Sequence, residues 1–192
     1  MDMNSLVIST HDTFLERVAL TGLEQLDLPT PCEGWSVADL FRHVTGGNWM
    51  TVELVGGAEA SVVGPLFAKA NGLSGQELLD AVTTTTEEAR DLLTNLADPA
   101  ATVAFPMGPM PAGRLAAFRS NDLFLHAWDL SRAIGASEDL PEATAQVCLE
   151  GLEMMASSGS MPPGMFGEGQ SGSLSADASV QDRMLDLSGR RP

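Results

Sequence analysis

Residues 121–130 read NDLFLHAWDL, which sets Asp122, His126 and Asp129 among Leu123, Phe124, Leu125, Ala127, Trp128 and Leu130. On a helix, at ~100° per residue, Asp122 and His126 fall ~40° apart, with Asp129 just beyond on the other flank. Leu115, Phe118, Arg119 and Ala133 share that stripe, and the other directions are apolar. A helix that is apolar nearly all round is an interior one. Its carboxylates are therefore expected to be buried, and buried charges persist only when paired or bound to metal. The pattern predicts a helix over 114–134 that stops at Gly135.

Working outward, a first helix is expected over 5–23, with Leu15, Val18 and Leu23 facing inward, until prolines and a glycine break "LEQLDLPTPCEGW". Ser36 and Asp39 make a capping-box-like start to a second helix over 37–54. Asp39, Arg42, Thr45 and Glu53 mark its polar side. Val37, Leu40, Phe41, Val44, Val52 and Val55 mark the other, flanked by His43, Gly47, Met50 and Leu54. Residues 56–72 read as a loop. Ser74 with Glu77 opens a third long helix that runs to about residue 96, and a short strand fits at 102–105. A further helix over 141–156 starts with proline in its first turn, and a short one over 178–187 ends at Gly189. Residues 157–175 read as a Gly/Ser/Pro/Met-rich surface loop. Four long helices and almost no strand predict an all-α, up-down four-helix bundle with one or two additional C-terminal helices. A single domain is expected over 1–192.

Composition narrows the function classes. The chain has 192 residues, a net charge of −16 and only ten basic residues, one of them a lysine. Nucleic acid and anionic membrane surfaces are bound by neutralising phosphates, so neither is an expected partner. The two cysteines, Cys32 and Cys148, are too few for a disulfide framework. The start "MDMNSLVIST" lacks the pattern of a signal peptide, and no stretch approaches the ~20 apolar residues of a membrane span. A cytoplasmic location is the expectation.

His43 stands on the inward side of the second helix. An i, i+4 carboxylate–imidazole pair presents an oxygen and a nitrogen to one point, and an inward imidazole from a facing helix completes a three-ligand set. His43, Asp122 and His126 are thus candidate metal ligands, in the three-ligand pattern of catalytic ions. The alternative is an internal salt-bridge network, with Arg119 balancing Asp122 and His126 bonded to Asp129. The candidate catalytic residues are Asp129 and Arg119. Asp129 is either an acceptor that orients a ligand imidazole or a cap or salt-bridge partner of Arg132 or another helix. Arg119 either attracts an anionic substrate or pairs with Asp122. Cys32 is a nucleophile near His43 or a packed turn residue. Trp35 and Trp128 are core or pocket wall. His11 is a fourth ligand or an exposed or capping residue. Residues 161–166 cover a pocket or form a plain surface loop.

"TPCEGWSVADLFRHVTGGNWM" (30–50) and "DLFLHAWDLSRAIG" (122–135) resemble the actinobacterial, mycothiol-dependent maleylpyruvate isomerase-like branch of the DinB-like metalloproteins. "SADASVQDRMLDLSGRRP" (175–192) resembles the ending of a single-domain subgroup. The resemblance implies a four-helix bundle holding one divalent metal, often zinc or nickel, near one end. It matches the ligand positions to His43, Asp122 and His126. Aspartate at 122 is one methylene shorter than the glutamate of relatives, so the helices must approach more closely or a water must intervene. The resemblance also implies an enzyme in which the metal activates a low-molecular-weight thiol such as mycothiol toward a small electrophile, as a transferase or isomerase. The named isomerase carries a further C-terminal domain that these 192 residues leave no room for, so the shared metal bundle is the expectation. The alternative function is a non-catalytic metal- or ligand-binding bundle, and a third is a bundle without metal that keeps the polar stripe as a salt-bridge network. Exposed apolar surface leaves a homodimer open.

Overall fold

The computed structural model describes residues 1–157 and 169–192. Among them the chain forms α1 (Met3–Val18), α2 (Val37–Val55), α3 (Val63–Asn71), α4 (Gly75–Thr94), β1 (Thr102–Val103), β2 (Met110–Pro111), α5 (Ala112–Ile134), α6 (Glu142–Ser157) and α7 (Val180–Leu187). The two strands pair antiparallel, Thr102 opposite Pro111 and Val103 opposite Met110. The fold is all-α, as expected, with α6 and α7 as the helices beyond the bundle. Helices α1 and α2 each pack on both α4 and α5, so α1 and α2 occupy opposite corners. The pocket cover or surface loop expected at 161–166 lies outside the described residues.

The long helices form where their apolar faces can be buried together. Phe14, Leu40, Phe41, Leu123, Phe124 and Trp128 are fully buried in the main core. Phe14 and Phe41 meet edge to face at 6.4 Å, a geometry worth ~0.5–1.5 kcal/mol beyond the buried area. The start of α2 is the expected capping box: Ser36 Oγ accepts from the Asp39 amide at 3.2 Å, and Asp39 Oδ2 accepts from the Ser36 amide at 3.0 Å. Helix α5 ends where Gly135 turns left-handed at φ +71°, a conformation that glycine adopts without steric cost.

Three local expectations are corrected. Helix α1 ends at Val18, because the Thr21 hydroxyl and amide bond back to Arg17 and Val18 carbonyls and tighten the last turn. Leu23 follows in a single 3-10 turn and is 49% exposed, so it does not face inward. Residues 56–72 are not a loop: a one-turn 3-10 helix leads into α3. Proline is tolerated in a first helical turn, where its missing N–H costs nothing, and Leu66 and Phe67 pack against the apolar cluster that contains Met50, Leu54 and Leu115. The α4 start is as expected: Ser74 is its N-cap residue and Glu77 lies in the first turn, although the Ser74 side chain makes no cap hydrogen bond.

Thr45, placed on the polar side of α2, is fully buried, as are Thr85 and Thr86 of α4 nearby. Thr85 and Thr86 are tolerated on the buried face of α4 because their hydroxyls find partners. Thr86 Oγ1 donates to the Val82 carbonyl at 2.6 Å. Asn48 Nδ2 donates to Thr86 Oγ1 at 3.0 Å and to Thr85 Oγ1 at 3.3 Å across the α2–α4 seam. No helix among the described residues is long and apolar enough to cross a membrane.

Candidate metal centre

The seam between α2 and α5 carries the polar stripe. His43 Nε2 lies 3.4 Å from Asp122 Oδ2, and His126 Nε2 lies 3.5 Å from Asp122 Oδ1. The two imidazole centroids are 5.0 Å apart, and one ligand atom from each of the three residues falls within 4.8 Å of the others. The structure thus brings together His43, Asp122 and His126. Asp122 keeps 23% of its side chain exposed, whereas His126 keeps 6% and Asp129 none. The cluster therefore opens on the Asp122 side and closes behind His126.

Two of the three, Asp122 and His126, are held by a further neighbour. Arg119 Nη1 donates to Asp122 Oδ2 at 2.6 Å, and Arg119 Nη2 donates to Asn48 Oδ1 at 3.3 Å. Arg119 is only 3% exposed, and its guanidinium occupies the space that a Cβ on Gly47 would fill, with three of its atoms 2.5–2.6 Å from that position. Asp129 Oδ2 accepts from His126 Nδ1 at 2.9 Å. That bond places a proton on Nδ1 and turns Nε2 toward Asp122. Cys32 Sγ donates to the same Asp129 oxygen at 3.3 Å.

The turn before α2 brings Cys32 and Trp35 to this cluster. Thr30 donates from its amide and its hydroxyl to the Trp35 carbonyl at 2.9 and 3.0 Å, and Thr30 Oγ1 accepts from the Cys32 amide at 3.2 Å. The Trp35 ring then stacks 6.0 Å from His126 and lies 5.0 Å from His43. A pocket of about 400 Å³ opens beside His43, lined by Gly34, Trp35, Asp39, Phe67 and Asn71 as well. Trp35 is pocket wall; Trp128 is core, fully buried. His11 is 1% exposed on α1 and pairs through Nδ1 with the Val7 carbonyl at 2.8 Å, so it is neither exposed nor a cap.

The electrostatics favour positive charge between the carboxylates. Burial opposes ionisation of Asp122, but the charges of Arg119, His126 and His43 outweigh it and hold the carboxyl well below the usual range. Burial likewise penalises the charged form of His126, yet Asp122 and then Asp129 raise its pKa well above the ordinary imidazole value. Burial lowers the pKa of His43, with Asp122 offsetting part of the effect. Asp129 is drawn down to about 2 because Arg190, followed by His126, outweighs its burial.

The donor set fits a divalent ion. Four-coordinate zinc, with bonds of ~2.0–2.1 Å, sets its ligand atoms ~3.3–3.4 Å apart, close to the 3.5 Å between His126 Nε2 and Asp122 Oδ1, while His43 Nε2 lies 3.4 Å from the other oxygen, which Arg119 also holds. Two imidazoles and one carboxylate with an open side is also a donor set that zinc-type ions accept. A second grouping, Cys32, His126 and Asp129, is equally close-set. There the Arg190 guanidinium already takes both carboxylate oxygens, at 3.1 Å to Oδ1 and 2.6 Å to Oδ2, whereas Arg119 takes only one oxygen of Asp122.

Sequence reasoning missed three participants: Asn48, Phe67 and Arg190. Asn48 and Phe67 lie in segments read for their apolar spacing or as a loop. Arg190 stands in "SGRRP", where the only signal is a pair of arginines in a chain with few basic residues.

Comparison with known proteins completes the picture. The family model described as the mycothiol maleylpyruvate isomerase N-terminal domain matches residues 9–131. Uncharacterized proteins from two strains of Mycobacterium tuberculosis are each 35% identical over 136 residues, covering 70% of this chain and 69% of theirs. The crystal structure of the mycothiol-dependent maleylpyruvate isomerase superposes with a TM-score of 0.59 at 21% identity, covering 78% of this chain and 66% of that one. The structure of a histidine-to-alanine mutant of that isomerase gives the same TM-score and coverage at 19% identity. The likeness to these solved structures is one of fold. The family match spans most of the bundle and both helices of the α2–α5 seam, and the chain belongs to the family of mycothiol maleylpyruvate isomerase N-terminal domains.

Proposed function

We propose that this chain is a divalent-metal protein that works on a low-molecular-weight thiol of the mycothiol type, as a thiol transferase or isomerase acting on a small electrophile. The observation that carries the reading is the meeting of His43, Asp122 and His126 beside an open pocket, in a family named for mycothiol chemistry. His43 and His126 would hold the ion through Nε2, with the Asp122 carboxylate completing the set. Zinc or nickel suits this donor set. What a divalent ion supplies at such a site is stabilisation of the deprotonated form of a thiol near neutral pH.

The chain's own groups do the rest. Asp129 accepts from His126 Nδ1 and so fixes the tautomer that leaves Nε2 free to bind. Arg119 is spent on Asp122 and Asn48, and it anchors the ligand carboxylate instead of receiving an anionic substrate. Trp35 and Phe67 offer flat apolar walls to a ligand beside His43, while Asp39 and Asn71 offer polar contacts at the rim.

Metal analysis of protein purified without chelator, compared with His43→Ala, tests the site. One equivalent in the wild type that is lost in the variant supports it. No metal in either returns the cluster to a salt-bridge network. Consumption of mycothiol with a panel of electrophiles then tests turnover. A non-catalytic metal- or ligand-binding role is the second reading, since the likeness to the solved isomerase is one of fold. Full metal occupancy with no thiol consumed would select it.

A further inference from the structure

The segment after α7 is built to turn one side chain inward. Ser188 Oγ donates to the Leu185 carbonyl at 2.8 Å, Gly189 takes φ +81°, and the Arg190 amide donates back to the Leu185 carbonyl at 2.9 Å. Arg190 Nη1 donates to the Ser188 carbonyl at 3.1 Å, which orients the guanidinium from its own turn. The side chain is 11% exposed, and its fork grips both oxygens of the fully buried Asp129.

On the Asp129 carboxylate, Oδ2 receives His126 Nδ1, Cys32 Sγ and Arg190 Nη2, while Oδ1 receives Arg190 Nε. Only Arg190 bonds both oxygens among these donors. A single bond leaves a carboxylate free to rotate about its stem; two parallel bonds to a planar guanidinium fix its plane. The plane of Asp129 in turn decides where Oδ2 meets the His126 ring.

We propose that Arg190 is a positioning residue of the metal centre. It clamps Asp129 in the plane that makes His126 present Nε2 toward His43 and Asp122. The proposal rests on the metal site argued above. It gives the "SGRRP" segment, which lies outside residues 9–131 matched by the family model, a part in the site.

The test measures the affinity of the full chain for zinc and for cobalt(II) by chelator competition, with folding checked by circular dichroism. The variants are Arg190→Ala, Arg190→Lys, Asp129→Asn and the double variant Asp129→Asn with Arg190→Ala. Removing a group that orients a ligand histidine weakens metal binding ~10–100-fold, and that loss is expected for Arg190→Ala. Arg190→Lys should recover thermal stability measured in chelator but little of the affinity, since lysine restores the charge without the fork. In the Asp129→Asn background, Arg190→Ala should cost no further affinity, because its path runs through Asp129.

Wild-type affinity in a folded Arg190→Ala protein, or losses that multiply in the double variant, would overturn the proposal and leave the metal site standing. Should Arg190→Ala not fold, Arg190→Lys decides: wild-type affinity there refutes the clamp, and weakened affinity in a stable protein supports it. A wild type that binds neither ion removes the metal site and the proposal with it.

Discussion

Replacing Gly47 with alanine should damage this protein, although the same change ordinarily strengthens a helix. Gly47 lies inside α2, where alanine is favoured over glycine by ~0.5–1 kcal/mol. Its Cβ, however, would stand 2.5–2.6 Å from Nη1, Cζ and Nη2 of Arg119. Contacts under 3.0 Å force a shift, and burial with two hydrogen bonds restrains this guanidinium from giving way. It is 3% exposed and held at 2.6 Å on Asp122 and 3.3 Å on Asn48. Moving it far enough to clear the methyl breaks the bond to Asp122, and breaking a buried ion pair costs ~3–5 kcal/mol. The net effect is a loss of ~2–4 kcal/mol, or roughly 5–15 °C in Tm for a chain of this size. Gly151 is the control: it lies inside α6, and a methyl there would meet only the far end of the Asn121 side chain, at 3.0 Å. Gly151→Ala should gain a few tenths of a kcal/mol, up to ~1. Urea unfolding of both variants, with slopes compared to the wild type, measures the difference. If Gly47→Ala matched Gly151→Ala in stability, the guanidinium would not be pinned where described, and the role given to Arg119 would fail.

Three further outcomes are expected. His11 is held neutral by burial, with its pKa lowered to about 4 from 6.5; the unfolded chain takes up that proton first, so the contribution is complete above pH 6.5 and is lost as pH falls toward 4, by ~3 kcal/mol. His11→Gln should flatten the stability profile across that window, and a profile parallel to wild type in urea titrations would contradict this. Burial pushes the Cys148 thiol up to about 12, so native protein should react with iodoacetamide at Cys32 alone by mass spectrometry, and modification of Cys148 before unfolding would be inconsistent with the core described. Chelator should lower the Tm of metal-loaded wild type but leave His43→Ala unchanged, because an ion that binds only the folded chain stabilises it by mass action; equal shifts in both proteins would place the ion elsewhere.

The sequence carried the parts of the fold that local chemistry decides. Ser36 and Asp39 mark the start of α2 and Gly135 the end of α5, because each signal satisfies backbone groups of its own helix. The helical spacing of Asp122 and His126, with His43 on an inward face, was enough to anticipate their meeting. What stayed hidden depends on partners distant in the chain. The α3 segment is punctuated by Gly64 and Pro65, and its helix packs Leu66 and Phe67 onto an apolar cluster built from α2, α5 and residues 103–105. Thr45, Thr85 and Thr86 look polar in one dimension and are buried in three. Arg190 lies 61 residues from Asp129, with no periodicity to link them.

The polar thread from Thr86 through Asn48 and Arg119 to Asp122 has a consequence for uniqueness. Apolar faces slide past one another at modest cost, since one leucine replaces another. If α4 slipped one turn along α2, the Asn48 amide would lose its hydroxyl acceptors, and a comparable slip of α5 would strand the Arg119 charge. Each orphaned polar group costs ~1–3 kcal/mol, and an uncompensated buried charge costs more. The thread thus acts as an indexing pin for the bundle, making one alignment of three helices far more favourable than its neighbours.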